Sequence, residues 1–298
     1  ALGFQSETFG VEGADENALP MDDLATSQAV YEHIEERFKA YRTSKDKNDL
    51  KIAVCGAGFT GIELLGELTQ SLPKLQAKYQ TPAAKVVCLE RMPSILPMFT
   101  QELRDYALKF MEKNNVEMRL GSVIEAIKPG AVVYSDADKN EHEFTANTII
   151  WTVGVSGSHV IADSGFEQRR NRVVVKPDLS LEGHPEVFIV GDVAAVMDPE
   201  SNRPYPTTAQ IALAAGEQAA KNIGVLRHNQ ATTTFNYESS GTVASLSDRD
   251  GIGQIFSSNK PVHGYAASAL KKIITDRSLL ESAHLGTVFS KGRFDLYH

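Results

Sequence analysis

From Lys51 the chain alternates short apolar runs with glycine turns and long amphipathic stretches. KIAVC at 51–55 predicts a buried strand, GAGFTG at 56–61 a tight turn, and the IELLGELTQSL stretch that follows a helix. KVVCLE at 85–90 supplies a second buried strand, with Pro73 to Ala84 lengthening the crossover. This order is a βαβ unit, whose strands are parallel and joined by a right-handed connection. Upstream, Gly3, Gly10, Gly13 and Pro20 mark residues 1–22 as a turn-rich connector. Ala29, Val30, Ile34, Phe38 and Tyr41 then fall at helical spacing between Ser27 and Arg42, before a charged stretch at Lys45 to Asp49. Downstream, the pattern predicts a helix over 100–114. Strands near 116–120, 131–135 and 143–151 suggest an antiparallel meander laid on the parallel sheet. RVVV at 172–175 and VFIVGD at 187–192 read as further strands, and 207–226 as a long helix. GTVASLSDRDGIGQIF at 241–256 predicts two strands joined around Asp250-Gly251, ahead of a terminal segment from about Ala266. The class is α/β.

Composition narrows the function. A chain of 298 residues, 42% hydrophobic and 23% charged, can bury two moderate cores, so two domains are expected. A net charge of -8 argues against a nucleic-acid partner, which needs clustered Lys and Arg. Cys55 and Cys88 each sit inside an apolar run and form no Cys-x-x-Cys pair, which points to small buried hydrophobes; no metal site is predicted. A redox centre would therefore be a bound cofactor. No run of about 18 apolar residues exists to span a bilayer, and ALGFQSETFG lacks the regions of a secretion signal, so a cytoplasmic body is expected.

Gly-x-Gly-x-x-Gly alone is a weak signal, but here it follows a strand and opens a helix. In that setting Gly56 makes the turn, Gly58 lets a pyrophosphate approach the backbone, and Gly61 allows close helix–strand packing. The helix start offers N–H donors and the positive end of a dipole. Glu90 ends the next strand, where an acid accepts hydrogen bonds from an adenosine ribose and repels a 2′-phosphate, favouring NAD. Arg91 beside it suits either a solvated surface charge or some tolerance of NADP. Glu63, two residues past the last glycine, is either a complement to the helix dipole or a chemical group. Asp192 after Gly191 puts a carboxylate at a strand end, as a helix cap or as a partner for a polyhydroxyl chain. Val153-Gly154 offers close backbone approach after the only tryptophan, Trp151. The terminal segment mixes leucine, isoleucine and basic residues at near-helical spacing, which fits a packing helix or one lying on a membrane.

Taken in order, Ala1-Leu2-Gly3, GAGFTGIE, KVVCLE, WTVG, IVGD and TTAQIA resemble the type II NADH dehydrogenases, or NADH:quinone oxidoreductases, over essentially the whole chain. The resemblance implies a Rossmann-like NAD domain with a β-meander, set into the remainder of an FAD-binding domain and followed by a C-terminal α+β segment. The implied boundaries are 1–22, 23–165, 166–232 and 233–298. In that family the FAD domain opens with its own glycine fingerprint well before the position of Ala1, so a chain without that first βαβ unit is implied. FAD and NADH are the implied cofactors. Gly56, Ala57, Gly58, Phe59, Thr60, Gly61, Glu63, Glu90, Val153 and Gly154 would hold NADH, with Glu63 as the catalytic candidate between nicotinamide and quinone. Gly3, Gly191, Asp192, Thr208, Ala209 and Gln210 would hold FAD, and Ala209-Gln210 match the start of the family's Ala-Gln-x-x-x-Gln quinone motif. Ala214 stands where that motif has its second glutamine. The implied activity is flavin-dependent oxidation of NADH with a membrane quinone as acceptor. A soluble NADH oxidase or diaphorase, or a chain that only binds pyridine nucleotide, are the alternatives. The resemblance also implies peripheral attachment to the inner face of the cell membrane through the C-terminal segment, and leaves a homodimer open.

Overall fold

The computed structural model describes residues 2–255, 260–283 and 285–292. Ala1, Phe256 and the last six residues of the predicted terminal segment lie outside the described residues. The chain divides into two compact units: Thr8–Val153 with Ser239–His298, and Ala1–Glu7 with Gly154–Glu238. The sequence boundary at 165/166 thus contrasts with a division at Gly154, and the C-terminal segment groups with the larger unit.

Elements are numbered in chain order. In the larger unit, α1 (Ala14–Asn17), β2 (Leu19–Pro20), α2 (Leu24–Ser44), β3 (Lys51–Cys55), α3 (Phe59–Tyr79), β4 (Lys85–Glu90), α4 (Gln101–Lys113) and β5 (Val116–Leu120) come first. β6 (Val123–Lys128), β7 (Ala131–Ser135), β8 (Glu141–Thr145) and β9 (Thr148–Trp151) follow. β15 (Gly241–Ser247), β16 (Asp250–Ile255), β17 (Lys260–His263), α7 (Tyr265–Ser282) and α8 (Leu285–Lys291) complete it. The central sheet is parallel, in the order β2-β9-β3-β4-β5.

Alternation along these strands splits the core in two. Ile52, Val54, Val86, Cys88 and Ile150 face one cluster with the apolar sides of α2, α3 and α4. Ala53, Cys55, Val87, Leu89, Ile149 and Trp151 face another with Val132, Tyr134 and Phe144 of the meander. A strand's side-chain period of two makes consecutive residues serve opposite faces. Cys55 and Cys88 therefore belong to different faces of the sheet, and both are free thiols. Burial pushes the Cys55 thiol up to about 12, which keeps it protonated and inert.

Several expectations are corrected here. Residues 1–22 are more than a connector: they hold β2, which pairs with β9, and the short α1. α2 starts three residues before Ser27 because Asp23 caps it, accepting from the Thr26 N–H at 2.8 Å while the Thr26 hydroxyl accepts from the Asp23 N–H. α3 runs through Pro73 to Tyr79. Proline removes one helical hydrogen bond, but Leu72 and Leu75 on either side stay buried in the core. The antiparallel meander is β6-β7-β8 alone; β5 and β9 join the parallel sheet. The predicted strand 143–151 breaks at Ala146-Asn147, so that β8 and β9 serve different sheets. The hairpin near 250 turns at Asp248-Arg249, two residues early, and β17 adds a third strand. Its first strand lies on α3, where Gly66 makes room: a Cβ there would come 2.2 Å from the Leu246 carbonyl oxygen.

The smaller unit contains β1 (Phe4–Ser6) paired with β10 (Val155–Gly157), α5 (His159–Asp163), β11 (Val173–Val174), β12 (Ser180–Leu181), β13 (His184–Phe188), β14 (Ala194–Ala195) and α6 (Ala209–Leu226). Its core gathers Leu179, Ile189, Val193, Ile211, Ala215 and Phe235. VFIVGD does not form one strand. β13 ends at Phe188, and Gly191, at φ +75°, turns the chain into a single 3₁₀ turn over Gly191–Val193.

Candidate functional site

The glycine loop of the larger unit is fixed from three sides. The N–H of Gly56 donates to the Leu89 carbonyl at 2.8 Å, extending the β3–β4 ladder one step and setting Gly56 opposite Glu90. The Glu90 carboxylate then accepts from the Ala57 N–H at 2.7 Å and the Met92 N–H at 2.8 Å. Just past the end of β9, Thr152 donates its hydroxyl to the carbonyls of Cys55 (2.7 Å) and Gly56 (3.1 Å).

These contacts explain the glycines. Gly56 holds φ +102°, and a Cβ on it would meet Val153 Cγ2 at 2.9 Å. A Cβ on Gly61 would stand 2.0 Å from the Gly56 carbonyl oxygen. At Gly58, by contrast, a Cβ would meet no atom within 4 Å. Open space therefore lies in front of the first turn of α3, which has no side-chain cap. The leading N–H groups of a helix are hydrogen-bond donors at the positive end of its dipole. The site thus combines such donors, room for a ligand at Gly58, and a carboxylate at the end of the neighbouring strand. That is what a dinucleotide phosphate and its ribose require.

Gly56, Ala57, Gly58, Phe59, Thr60, Gly61, Glu90 and Val153 are brought together here. Gly154, at φ +72°, opens the second segment of the other unit. Glu63 lies further along α3 and faces the C-terminal elements: its carboxylate accepts from the Ser245 N–H of β15 at 3.0 Å and pairs with Lys271 of α7 at 2.8 Å. Both side chains are about one-third exposed, at 31% and 34%. They line a polar cavity of ≈ 180 Å³ with Glu67, Ser247, Asp248 and Lys272. A water needs about 10–15 Å³ measured the same way, so several can enter.

In the smaller unit, Gly191, Asp192 and Thr208 line a cleft at the start of α6. Thr208 caps the helix, its hydroxyl accepting from the Ile211 N–H at 3.4 Å. Arg172 completes the cleft, donating to the carbonyls of Ala194 (2.8 Å) and Tyr205 (3.0 Å). Burial pulls the Arg172 guanidinium below its ordinary range, and the charge of Asp192 opposes that shift. Ala209 and Gln210 begin α6 but do not line the cleft. Gly3, at φ +71°, accepts the Ser158 N–H at the end of the β1–β10 pair and also stays outside it.

The sequence reasoning missed Thr152, Arg172 and Lys271. Arg172 had the clearest local signal, a charge heading the apolar run RVVV. Lys271 had none, because only the fold of β15 and α7 onto α3 brings it to Glu63.

The model of the pyridine nucleotide-disulphide oxidoreductase family matches residues 1–216. The type II NADH:quinone oxidoreductase of Staphylococcus epidermidis is 42% identical over 299 aligned positions, 99% of this chain and 73% of that protein. The chain belongs to the type II NADH:quinone oxidoreductase family. The Staphylococcus aureus member is 41% identical over the same shares. Among solved structures, NDH2 from Plasmodium falciparum in complex with NADH shares the fold of this family member, with a TM-score of 0.84 at 16% identity, over 93% of this chain and 73% of that one. The sulfide:quinone oxidoreductase of Aquifex aeolicus is also similar in fold, with a TM-score of 0.69 at 18% identity, over 96% of this chain and 70% of that one.

Proposed function

We propose that this chain binds NADH at the Gly56–Gly61 loop and, through a bound FAD, passes its electrons to a quinone. The glycine loop braced by Glu90 carries the NADH assignment. One strand-end carboxylate is tied to the backbone of the loop and stands where a ribose would lie. Both oxygens of Glu90 accept backbone N–H groups, and each keeps a second lone pair for a ribose hydroxyl. The residues of the smaller unit fit a flavin's polyhydroxyl chain: Asp192 accepts, Arg172 balances its charge, and Thr208 fixes the helix start. The flavin, when bound, supplies the two-electron chemistry, and the protein contributes orientation and electrostatics.

Glu63 is the residue proposed to serve proton supply. Its carboxylate touches Lys271 and opens on a cavity large enough for water, so protons can reach it from solvent. Replacing Glu63→Gln should lower quinone turnover at least several-fold while leaving NADH binding near wild type. Unchanged NADH oxidation and quinone reduction would remove Glu63 from the mechanism.

Peripheral membrane attachment belongs to the same proposal. α7 and α8 expose Ile273, Ile274, Leu280, Leu285 and Phe289, the last at 75%. Exposed apolar side chains on a terminal helix pair suit the plane of a bilayer interface, here the inner face of the cell membrane. Among the described residues no helix is long and apolar enough to cross one. Co-sedimentation with anionic vesicles tests attachment, and analytical ultracentrifugation tests whether two copies pair.

Ala214 favours a second reading, in which oxygen or a dye accepts the electrons, since it lacks the second amide of the quinone motif. Comparing rates with a menaquinone analogue and with oxygen alone separates the two. A quinone rate no higher than the oxygen rate would select the oxidase.

A further inference from the structure

Arg91 follows the last residue of β4, next to the carboxylate that braces the glycine loop, and it is exposed. Its backbone is nevertheless held on both sides. The Ser122 N–H donates to the Glu90 carbonyl at 2.9 Å and the Gly121 N–H to the Met92 carbonyl at 3.1 Å, while the Met92 N–H donates to the Glu90 carboxylate at 2.8 Å. Arg91 thus stands at the middle of a turn that closes on the carboxylate proposed for the ribose. On the neighbouring strands Lys85 and Arg119 both pair with Glu117, at 3.0 and 2.7 Å. Among the described residues no carboxylate pairs with Arg91.

That position changes what the adenosine end of a coenzyme meets. A carboxylate alone selects against a 2′-phosphate, a monoester that carries about −1.5 to −2 charges at neutral pH. Here both Glu90 oxygens already accept backbone N–H groups, whose dipoles offset part of that repulsion. The next residue supplies a full positive charge on a planar fork that matches phosphate oxygens. Its long stem can carry the fork toward the ribose while the backbone stays pinned. The corner therefore holds one charge of each sign, Glu90 for ribose hydroxyls and Arg91 for a phosphate ester beside them.

We propose that the Gly56–Gly61 site also takes NADPH, with Arg91 as the residue that recognises its 2′-phosphate; this rests on the NADH reading of the same loop. The hydride-donating end is identical in the two coenzymes, so Arg91 governs which of them binds and not what it does once bound. The test is calorimetric titration of the flavin-loaded protein with NAD+ and NADP+, which donate no hydride, so that binding is read without turnover. NADP+ should bind within about tenfold of NAD+, because one charge of each sign faces the added phosphate. Arg91→Ala should weaken NADP+ by about a further tenfold, the low end for a charge-assisted hydrogen bond at a solvent-screened site. NAD+ affinity should stay within twofold in the same variant, and its melting temperature should not move. An equal loss for both coenzymes would overturn the proposal, as would an unchanged NADP+ affinity or an unmodified protein that binds NAD+ but no NADP+. That last result would leave the NADH reading standing. An unmodified protein that binds neither coenzyme would remove the NADH reading and this inference together.

Discussion

The glycine loop of the larger unit and the cleft of the smaller one are both helix starts beside a strand end or turn, but they are assembled differently. In the first, strand, turn and helix are consecutive, and Leu89, Glu90 and Thr152 reach in from elsewhere. In the second, Asp192 and the Thr208 cap are separated by a long excursion, and Arg172 joins their surroundings by binding the carbonyls of Ala194 and Tyr205. The first site is held by backbone fit, the second by a half-buried charge. They should therefore fail in different ways.

The largest effect is expected from Gly61→Ala, since its Cβ would stand 2.0 Å from a backbone oxygen that cannot give way cheaply. Overpacking of this kind costs roughly 1–3 kcal/mol of stability, so calorimetry should show a lower melting temperature, and the displaced loop should bind NADH more weakly. Gly216→Ala in α6 is the matching change in the smaller unit. Its Cβ would meet no atom within 4 Å, so stability should hold or rise by about 0.5–1 kcal/mol, as for helical glycine to alanine generally. Equal losses from the two would erase the contrast.

Arg172→Met comes next. It strands the Ala194 and Tyr205 carbonyls, and a buried acceptor left unpaired costs about 1–3 kcal/mol. Thermal melts and flavin retention should both fall, while NADH affinity stays near wild type. A parallel loss of NADH affinity would mean that the two sites are not held independently.

A smaller loss is expected at Glu90. Glu90→Ala removes the acceptor for the Ala57 and Met92 N–H groups and the carboxylate facing the ribose. NADH affinity should drop about tenfold, the scale of a charge-assisted hydrogen bond, and NADPH affinity should drop less. An equal drop for both would confine Glu90 to bracing the loop.

The same contrast governs what the sequence could tell. The βαβ unit was legible because its signals are local: KIAVC, GAGFTG and KVVCLE each state their own conformation, and the structure places them as expected. The smaller unit was harder to read. Its pairings are two or three residues long, and the apolar run VFIVGD, which looks like one strand, is broken by the positive φ of Gly191. The C-terminal hairpin was visible, but not its place on α3. That depends on the gap at Gly66 and on the bond from Ser245 to Glu63, and neither leaves a periodic trace. Arg172 and Lys271 were missed for a related reason: each acts on a partner that only folding brings near.

The central claim is that NADH electrons pass through this protein to a quinone, and one experiment addresses it directly. The flavin-containing protein is mixed with NADH in the absence of oxygen, and a menaquinone analogue is then added while the visible flavin band is followed. Bleaching by NADH and recovery on adding the quinone is the predicted result. A band that NADH leaves unchanged, or one that stays bleached after the quinone is added, would contradict the account.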